Sequence, residues 1–185
     1  IDEMPAGRQP IKTYWIRKKQ VPQLKEEIHK ELKNKSQIYV VGPLIEESEE
    51  LDLENATQLA NLYAQSFAPE YTVGLLHGRM SAEEKDEVMD AFKQQTIDIL
   101  VSTTVIEVGI DVPNATMMVI HDADRFGLAQ LHQLRGRVGR GSKQSFCILV
   151  ADPKGENGVK RMQIMTSSTD GFVISQKDLE MRGPG

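Results

Sequence analysis

Arginines alternate with glycines in the stretch from Gln130 to Gly141. Arg137 and Arg140 are three positions apart, so on a helix or its continuing turn they project to roughly one side. A guanidinium group is a permanently charged fork that matches phosphate oxygens, and neighbouring glycines let a second surface approach closely. A salt-bridged surface helix is the alternative interpretation, but the glycine pattern favours phosphate binding.

A second polar stretch follows a short apolar run and contains Ser102, Thr103 and Thr104, then Gly109 and Asp111. Hydroxyl groups and backbone amides at the start of a helix bind phosphates without any net charge. Asp111, after a conformationally permissive glycine, is able to accept hydrogen bonds from a ribose. Taken alone, this stretch is equally consistent with an ordinary capped helix start.

The chain shows no nucleotide-hydrolysis apparatus of its own. The nearest match to a phosphate-binding loop, Gly136 to Lys143, has its lysine and serine reversed and leads into a strand rather than a helix. Asp86 and Glu87 spell an acidic metal box, but they lie on the solvent side of an amphipathic helix. The four histidines show no metal-ligand spacing, and a single cysteine excludes a disulfide framework. We therefore expect no metal site and no hydrolysis by this chain alone.

Short apolar runs alternate with helical periods along most of the chain. Runs of this kind are typical of strands buried on both faces of a parallel sheet. The predicted strands are 37–41, 72–76, 98–101, 116–120 and 145–150, with 11–16 as an additional candidate. Helices are predicted from Val21 to Leu32, from Ala56 to Phe67, and after the capping box of Ser81 and Glu84. This alternation predicts a three-layer α/β domain with a mostly parallel central sheet flanked by helices.

Ligands of such sheets gather outside the carboxyl ends of the strands. His77, Gly78 and Arg79 follow one predicted strand, and the hydroxyls from Ser102 to Thr104 follow another. The sequence therefore predicts a polar binding edge at these ends.

Composition and charge set broad limits. Of the residues, 39% are hydrophobic and 26% charged, which is ordinary for a folded domain, and the net charge of −5 does not by itself indicate a nucleic-acid binder. The acidic run from Glu46 to Glu54 is interpreted as a solvated face, away from any bound strand. No apolar run is long enough to cross a bilayer, and no leader is recognisable at Ile1, so we expect a cytoplasmic protein.

The two polar stretches resemble motifs V and VI of superfamily 2 helicases, and the segment from Leu75 to Ser81 resembles the motif before them. Within that superfamily, the chain is similar to the second motor domain of the bacterial branch-migrating DNA helicases. The segments that carry this closer resemblance are 1–11, 43–49, 170–172 and 178–185.

The resemblance implies a domain organisation. Residues 1–10 would be an inter-lobe linker, 11–166 a RecA-like motor domain, and 167–185 the start of a truncated translocation-coupling tail. The remaining first motor lobe and a wedge domain that engages branched DNA would belong to the same, longer polypeptide. We expect that polypeptide to be a monomer.

The resemblance also implies roles for the site residues. Arg137 and Arg140 would be arginine fingers, assisted by Gln133, that reach ATP and Mg²⁺ held by the first lobe. Gly109 and Asp111 would meet the ribose or the opposite lobe. Backbone contacts to DNA would come from His77, Gly78, Arg79, Ser102, Thr103 and Thr104. The implied function is ATP-driven remodelling of stalled forks and Holliday junctions in recombination and repair.

Three other functions remain open at this point. The transcription-repair coupling translocase shares the motor motifs and the tail. An RNA-directed motor of the same superfamily is a second alternative, although the flanking segments disfavour it. A non-enzymatic nucleic-acid or protein-binding module is the third, and the arginine pair disfavours it because a module of that kind has no use for both fingers.

Overall fold

The computed structural model of the chain describes residues 10–103, 112–139 and 141–167. Residues 1–9 of the predicted linker and residues 168–185 of the predicted tail lie outside these ranges.

Within the described ranges, six strands form one sheet in the spatial order β1-β6-β5-β2-β4-β3. Every neighbouring pair is parallel. The strands are β1 Lys12–Ile16, β2 Gln37–Val41, β3 Val73–Leu76, β4 Ile99–Ser102, β5 Ala115–His121 and β6 Phe146–Val150. The predicted parallel sheet is confirmed, and each predicted strand is present to within one residue at either end.

The described part of the chain contains five α-helices, of which the first four lie between strands and the fifth follows β6. They are α1 Val21–Lys33, α2 Glu49–Phe67, α3 Ala82–Lys93, α4 Leu128–Arg135 and α5 Glu156–Ser167. The Ser81 capping box is confirmed, because Ser81 Oγ accepts from the Glu84 amide at 3.1 Å and Glu84 Oε1 accepts from the Ser81 amide at 2.9 Å. None of the helices in these ranges is long and apolar enough to span a bilayer.

The helices cover both faces of the sheet. One core contains Leu24 and Ile28 of α1 with Tyr63 and Phe67 of α2, packed on one face. On the other face, α3, α4 and α5 contribute to a second core, with Phe92 as one of its fully buried members. Cys147 lies in this second core as a small buried side chain, as predicted. The three-layer α/β architecture is therefore confirmed.

Helix α2 begins earlier than the sequence indicated. It starts at Glu49, inside the acidic run, with Ser48 as its N-cap: the Ser48 hydroxyl accepts from the Leu51 amide at 3.3 Å. Negative side chains stabilise a helix N-terminus because they complement its dipole, which explains the concentration of acids there. The interpretation of the whole run as a solvated face is wrong for one member, since Asp52 is only 4% exposed.

The loop between α4 and β6 lies at the amino edge of the sheet, which is the edge formed by the amino ends of the strands. Gly139 has a φ of +80°, and a β-carbon added there would lie 2.8 Å from Ile11 Cγ1. A β-carbon on Gly141 would meet the Pro113 carbonyl oxygen at 2.8 Å. Ile11 and Pro113 precede β1 and β5, so the two glycines seat this loop against the amino ends of the strands.

We expect Gly139→Ala to lower the free energy of unfolding by about 1–2 kcal/mol, because an L-residue disfavours the left-handed conformation. Urea unfolding of the purified chain measures the change. Gly136→Ala is the matched control in the same loop, since Gly136 has a helical φ of −68° and its nearest neighbour would be 3.4 Å away. Equal losses of unfolding free energy in the two variants would contradict the assignment of the loss to the left-handed conformation of Gly139.

Candidate functional site

The predicted polar edge brings His77, Ser102 and Thr103 together. Strands β2, β4 and β3 are adjacent in the sheet, and Ser102 is the register partner of both Val41 and Leu76. His77 follows Leu76 and Thr103 follows Ser102, so the first residues after β3 and β4 lie side by side.

The side chains of His77 and Thr103 are turned into the protein. These residues are 2% and 3% exposed, and Ser102 is fully buried. Thr103 Oγ1 donates to Oδ2 of Asp52 at 3.2 Å. His77 Nε2 lies 3.0 Å from the same oxygen, at an angle too bent for a well-aligned hydrogen bond. Any ligand at this edge therefore meets mainly backbone groups at these positions.

Gly78 and Arg79 form the exposed part of the same loop. The Arg79 amide donates to Nδ1 of His77 at 3.0 Å, and the Met80 amide donates to the His77 carbonyl at 3.1 Å. Because Nδ1 accepts a hydrogen bond, a neutral His77 ring carries its proton on Nε2, the nitrogen that faces Asp52. The imidazole thus fixes the backbone of the turn, while the Arg79 side chain projects into solvent.

Sequence reasoning missed Asp52, although the sequence contains a signal for it. Asp52 stands one helical turn before Ala56, and Ala56, Tyr63 and Phe67 form the buried stripe of α2. The spacing of four residues extends that stripe onto the carboxylate. A carboxylate in line with a buried apolar stripe indicates a satisfied internal acceptor rather than a solvated charge.

The segment from Gln130 to Gly141, here called the arginine stretch, contains both buried and accessible side chains. Arg135, at the end of α4, is 2% exposed and donates to the Met165 carbonyl at 2.8 Å and to Thr13 Oγ1 at 3.2 Å. Burial lowers the pKa of its guanidinium. Gln133 is exposed and Arg137 is half-buried in the turn that continues the helix. Gln133 and Arg137 are therefore accessible enough to contact a ligand, whereas Arg135 is not.

Tyr39 of β2 lies in the core on the face covered by α3, α4 and α5, within electrostatic reach of Arg137. Burial raises the pKa of Tyr39 to about 12, and the positive charge of Arg137 opposes part of that rise. Lys143 anchors the end of the same loop through three oxygens before β2 and β5: the Asn34 carbonyl at 3.3 Å, Ser36 Oγ at 3.2 Å and Asn114 Oδ1 at 3.3 Å. The loop that carries Arg137 is thus held at the amino edge of the sheet.

Four predicted site residues lie outside the described part of the chain: Thr104, Gly109, Asp111 and Arg140. The described residues contain no group of three or more histidine, cysteine or acidic side chains that could hold a metal ion. The residues present therefore do not fit a magnesium site.

Comparison with known proteins gives close matches along the full chain. It is 60% identical over all 185 residues to the ATP-dependent DNA helicase RecG of Streptococcus pneumoniae, and 57% identical to that of Bacillus subtilis. The chain spans 28% and 27% of the length of these two proteins. The resemblance to bacterial branch-migrating helicases is confirmed at this level.

Solved structures agree with the sequence matches. The chain superposes on RecG bound to a three-way DNA junction with a TM-score of 0.83 and 46% identity, covering 100% of this chain and 24% of that one. Domain 2 of the DEAD-box helicase Mss116p, bound to an RNA duplex, matches with a TM-score of 0.66 over 95% of this chain and 71% of that one. At 16% identity, the second match shows the fold alone.

A family model, the helicase conserved C-terminal domain, matches residues 19–142. These residues include β2 to β5, the loops of the carboxyl edge and the arginine stretch. With these matches to both its sequence and its fold, the chain belongs to the helicase conserved C-terminal domain family.

Proposed function

We propose that this chain is the second motor lobe of an ATP-dependent DNA helicase that remodels branched DNA in recombination and repair. One observation carries the proposal: the chain is 60% identical to a RecG helicase over all 185 residues. The structure of a related RecG on a three-way DNA junction supports branched DNA as the substrate. The boundaries of the proposed lobe are residues 11 and 166, between the linker and the coupling tail.

On the nucleotide side, Arg137 and Arg140 act as arginine fingers, with Gln133 assisting them and Gly109 and Asp111 at the ribose or the opposite lobe. Phosphoryl transfer spreads negative charge over the equatorial oxygens, which a guanidinium supplied across an interface neutralises. The exposure of Gln133 and the half-burial of Arg137 support this role, because both are accessible to a docked lobe. ATP and Mg²⁺ are held mainly by the first lobe, as the resemblance to superfamily 2 helicases implies.

On the DNA side, the exposed backbone of Gly78 and Arg79 and the segment from Ser102 to Thr104 contact phosphates. Contacts to phosphates hold the strand without reading bases, as a translocase requires. The burial of the His77 and Thr103 side chains argues against direct imidazole or hydroxyl contacts to phosphates at these two positions. The other partners are the first lobe and the wedge domain of the same cytoplasmic, monomeric polypeptide.

The isolated chain is expected to show negligible ATP hydrolysis, with or without DNA, because the lysine and serine are reversed in its nearest match to a phosphate-binding loop. The full-length polypeptide, measured in parallel, is expected to show hydrolysis stimulated by branched DNA. A phosphate-release assay makes both measurements. Robust DNA-stimulated turnover by the isolated chain would contradict the assignment of ATP binding to the first lobe.

In the full-length protein, Arg137→Ala is expected to reduce turnover by about 10³-fold while ATP affinity stays within about threefold, because the guanidinium acts in the transition state. Steady-state hydrolysis and binding of a fluorescent ATP analogue measure the two effects. Arg17→Ala is the control, since Arg17 is an exposed arginine after β1, at the other edge of the sheet. Normal turnover in Arg137→Ala would remove the finger assignment.

Arg79→Ala is expected to raise the DNA concentration for half-maximal stimulation by about three- to tenfold and to reduce the salt slope of binding by about one. The reason is that the variant lacks one exposed positive charge next to the proposed contacts with DNA phosphates. Titration of branched DNA at several salt concentrations measures both. Lys93→Ala serves as the control, because this exposed lysine lies at the far end of α3. Equal effects in the two variants would contradict a local phosphate contact.

A further inference from the structure

We propose that Asp52 is a positioning residue that sets the two DNA-facing loops against each other. The inference rests on the proposed function, because it assigns a role to a side chain behind the proposed DNA contacts. Asp52 itself is buried and negatively charged, so it neither reaches a strand nor attracts its phosphates. Its effect passes through the groups that bind it.

The carboxylate joins three separate segments of the chain. Oδ1 accepts from the Ile45 amide at 2.9 Å, which ties down the segment after β2. Oδ2 accepts from Thr103 Oγ1 at 3.2 Å and lies 3.0 Å from His77 Nε2, and these two residues follow β4 and β3. Since β2, β4 and β3 are neighbours, one side chain contacts all three loops at this part of the carboxyl edge.

His77 transmits the position of the carboxylate to the exposed turn. One side of its ring faces Asp52, and the other side accepts a hydrogen bond from the Arg79 amide at 3.0 Å. Nε2 and the carboxylate approach to 3.0 Å without a well-aligned hydrogen bond, and burial strengthens the electrostatic attraction between them. The backbone of Arg79 is therefore placed relative to Thr103 by way of one imidazole and one carboxylate.

The location of Asp52 in α2 makes the arrangement specific for a carboxylate. It stands in the first turn of a 19-residue helix, where the N-terminal dipole stabilises a negative charge. A buried charge that loses its donors is costly, so each donor is held in its orientation. Asparagine at this position would present an N–H group either towards the Ile45 amide or towards Thr103 and His77, whereas the carboxylate presents an acceptor on both sides.

The test is Asp52→Asn in the full-length protein, with Glu50→Gln as the matched control. Glu50 is exposed in the same helical turn, and both changes remove one negative charge. Asp52→Asn is expected to raise the DNA concentration for half-maximal ATPase stimulation by about tenfold or more, as expected for a lost buried bond to a charged group. The KM for ATP should stay within about twofold, and Glu50→Gln should match the wild type in both constants.

A merely structural role would give a different pattern. Loss of folded protein lowers the amplitude of hydrolysis but leaves both half-saturation constants unchanged, and that result would overturn the proposal. Equal increases in the constants for DNA and for ATP would overturn it as well. A wild-type protein without any DNA-stimulated hydrolysis would instead contradict the proposed function, so the two failures are distinguishable.

Amide hydrogen exchange provides a readout that does not depend on DNA. In full-length Asp52→Asn, the peptide from His77 to Met80 is expected to exchange faster, while peptides from α5 keep their wild-type rates. If Asp52→Asn does not accumulate, Thr103→Val removes one of the carboxylate's donors and preserves shape. That variant is expected to shift the DNA constant in the same direction by a smaller factor, and an unchanged constant would overturn the proposal.

Discussion

All neighbouring strands of this sheet run in the same direction, and the rest of the structure depends on that constraint. A tight turn cannot join two adjacent parallel strands, because both strands start at the amino edge of the sheet. Every connection therefore crosses from the carboxyl edge back to the amino edge. Each loop therefore belongs to one edge or the other. His77 and Thr103 lie at the carboxyl edge, and the loop that carries Arg137 and Gly139 reaches the amino edge.

The two proposed contact regions are consequently separated by about the length of a strand. Strand β2 has five residues, which corresponds to about 16 Å. Helix α4 is one of the connections that cross from the carboxyl edge to the amino edge, and it ends at the turn that carries Arg137. In the proposed motor, this helix joins the edge that contacts DNA to the loop that contacts ATP. Both contact regions are held by side-chain hydrogen bonds, through the buried Asp52 at one edge and the exposed Lys143 at the other.

The elements were predictable where local pattern and tertiary environment agree. The apolar runs became buried strands, and the capping box of Ser81 and Glu84 formed as its spacing indicates. Helix α5 was missed, and the start of α2 was misplaced because the acidic residues from Glu49 to Asp52 obscured its first turn. At the candidate site, the sequence predicted which residues bind phosphates, but it left the orientation of their side chains undetermined.

The sequence alone determined which functional groups are present and where they stand in the chain: arginines among glycines, hydroxyls after one buried strand, and a histidine after another strand. These features are local, so spacing and residue type are sufficient to recognise them. Only the tertiary structure decided that Asp52 is buried, that the side chains of His77 and Thr103 turn inward, and that the arginine loop meets the amino edge. Such facts depend on contacts between segments far apart in the chain, such as Asp52 with Thr103, and no local pattern encodes which segments will meet.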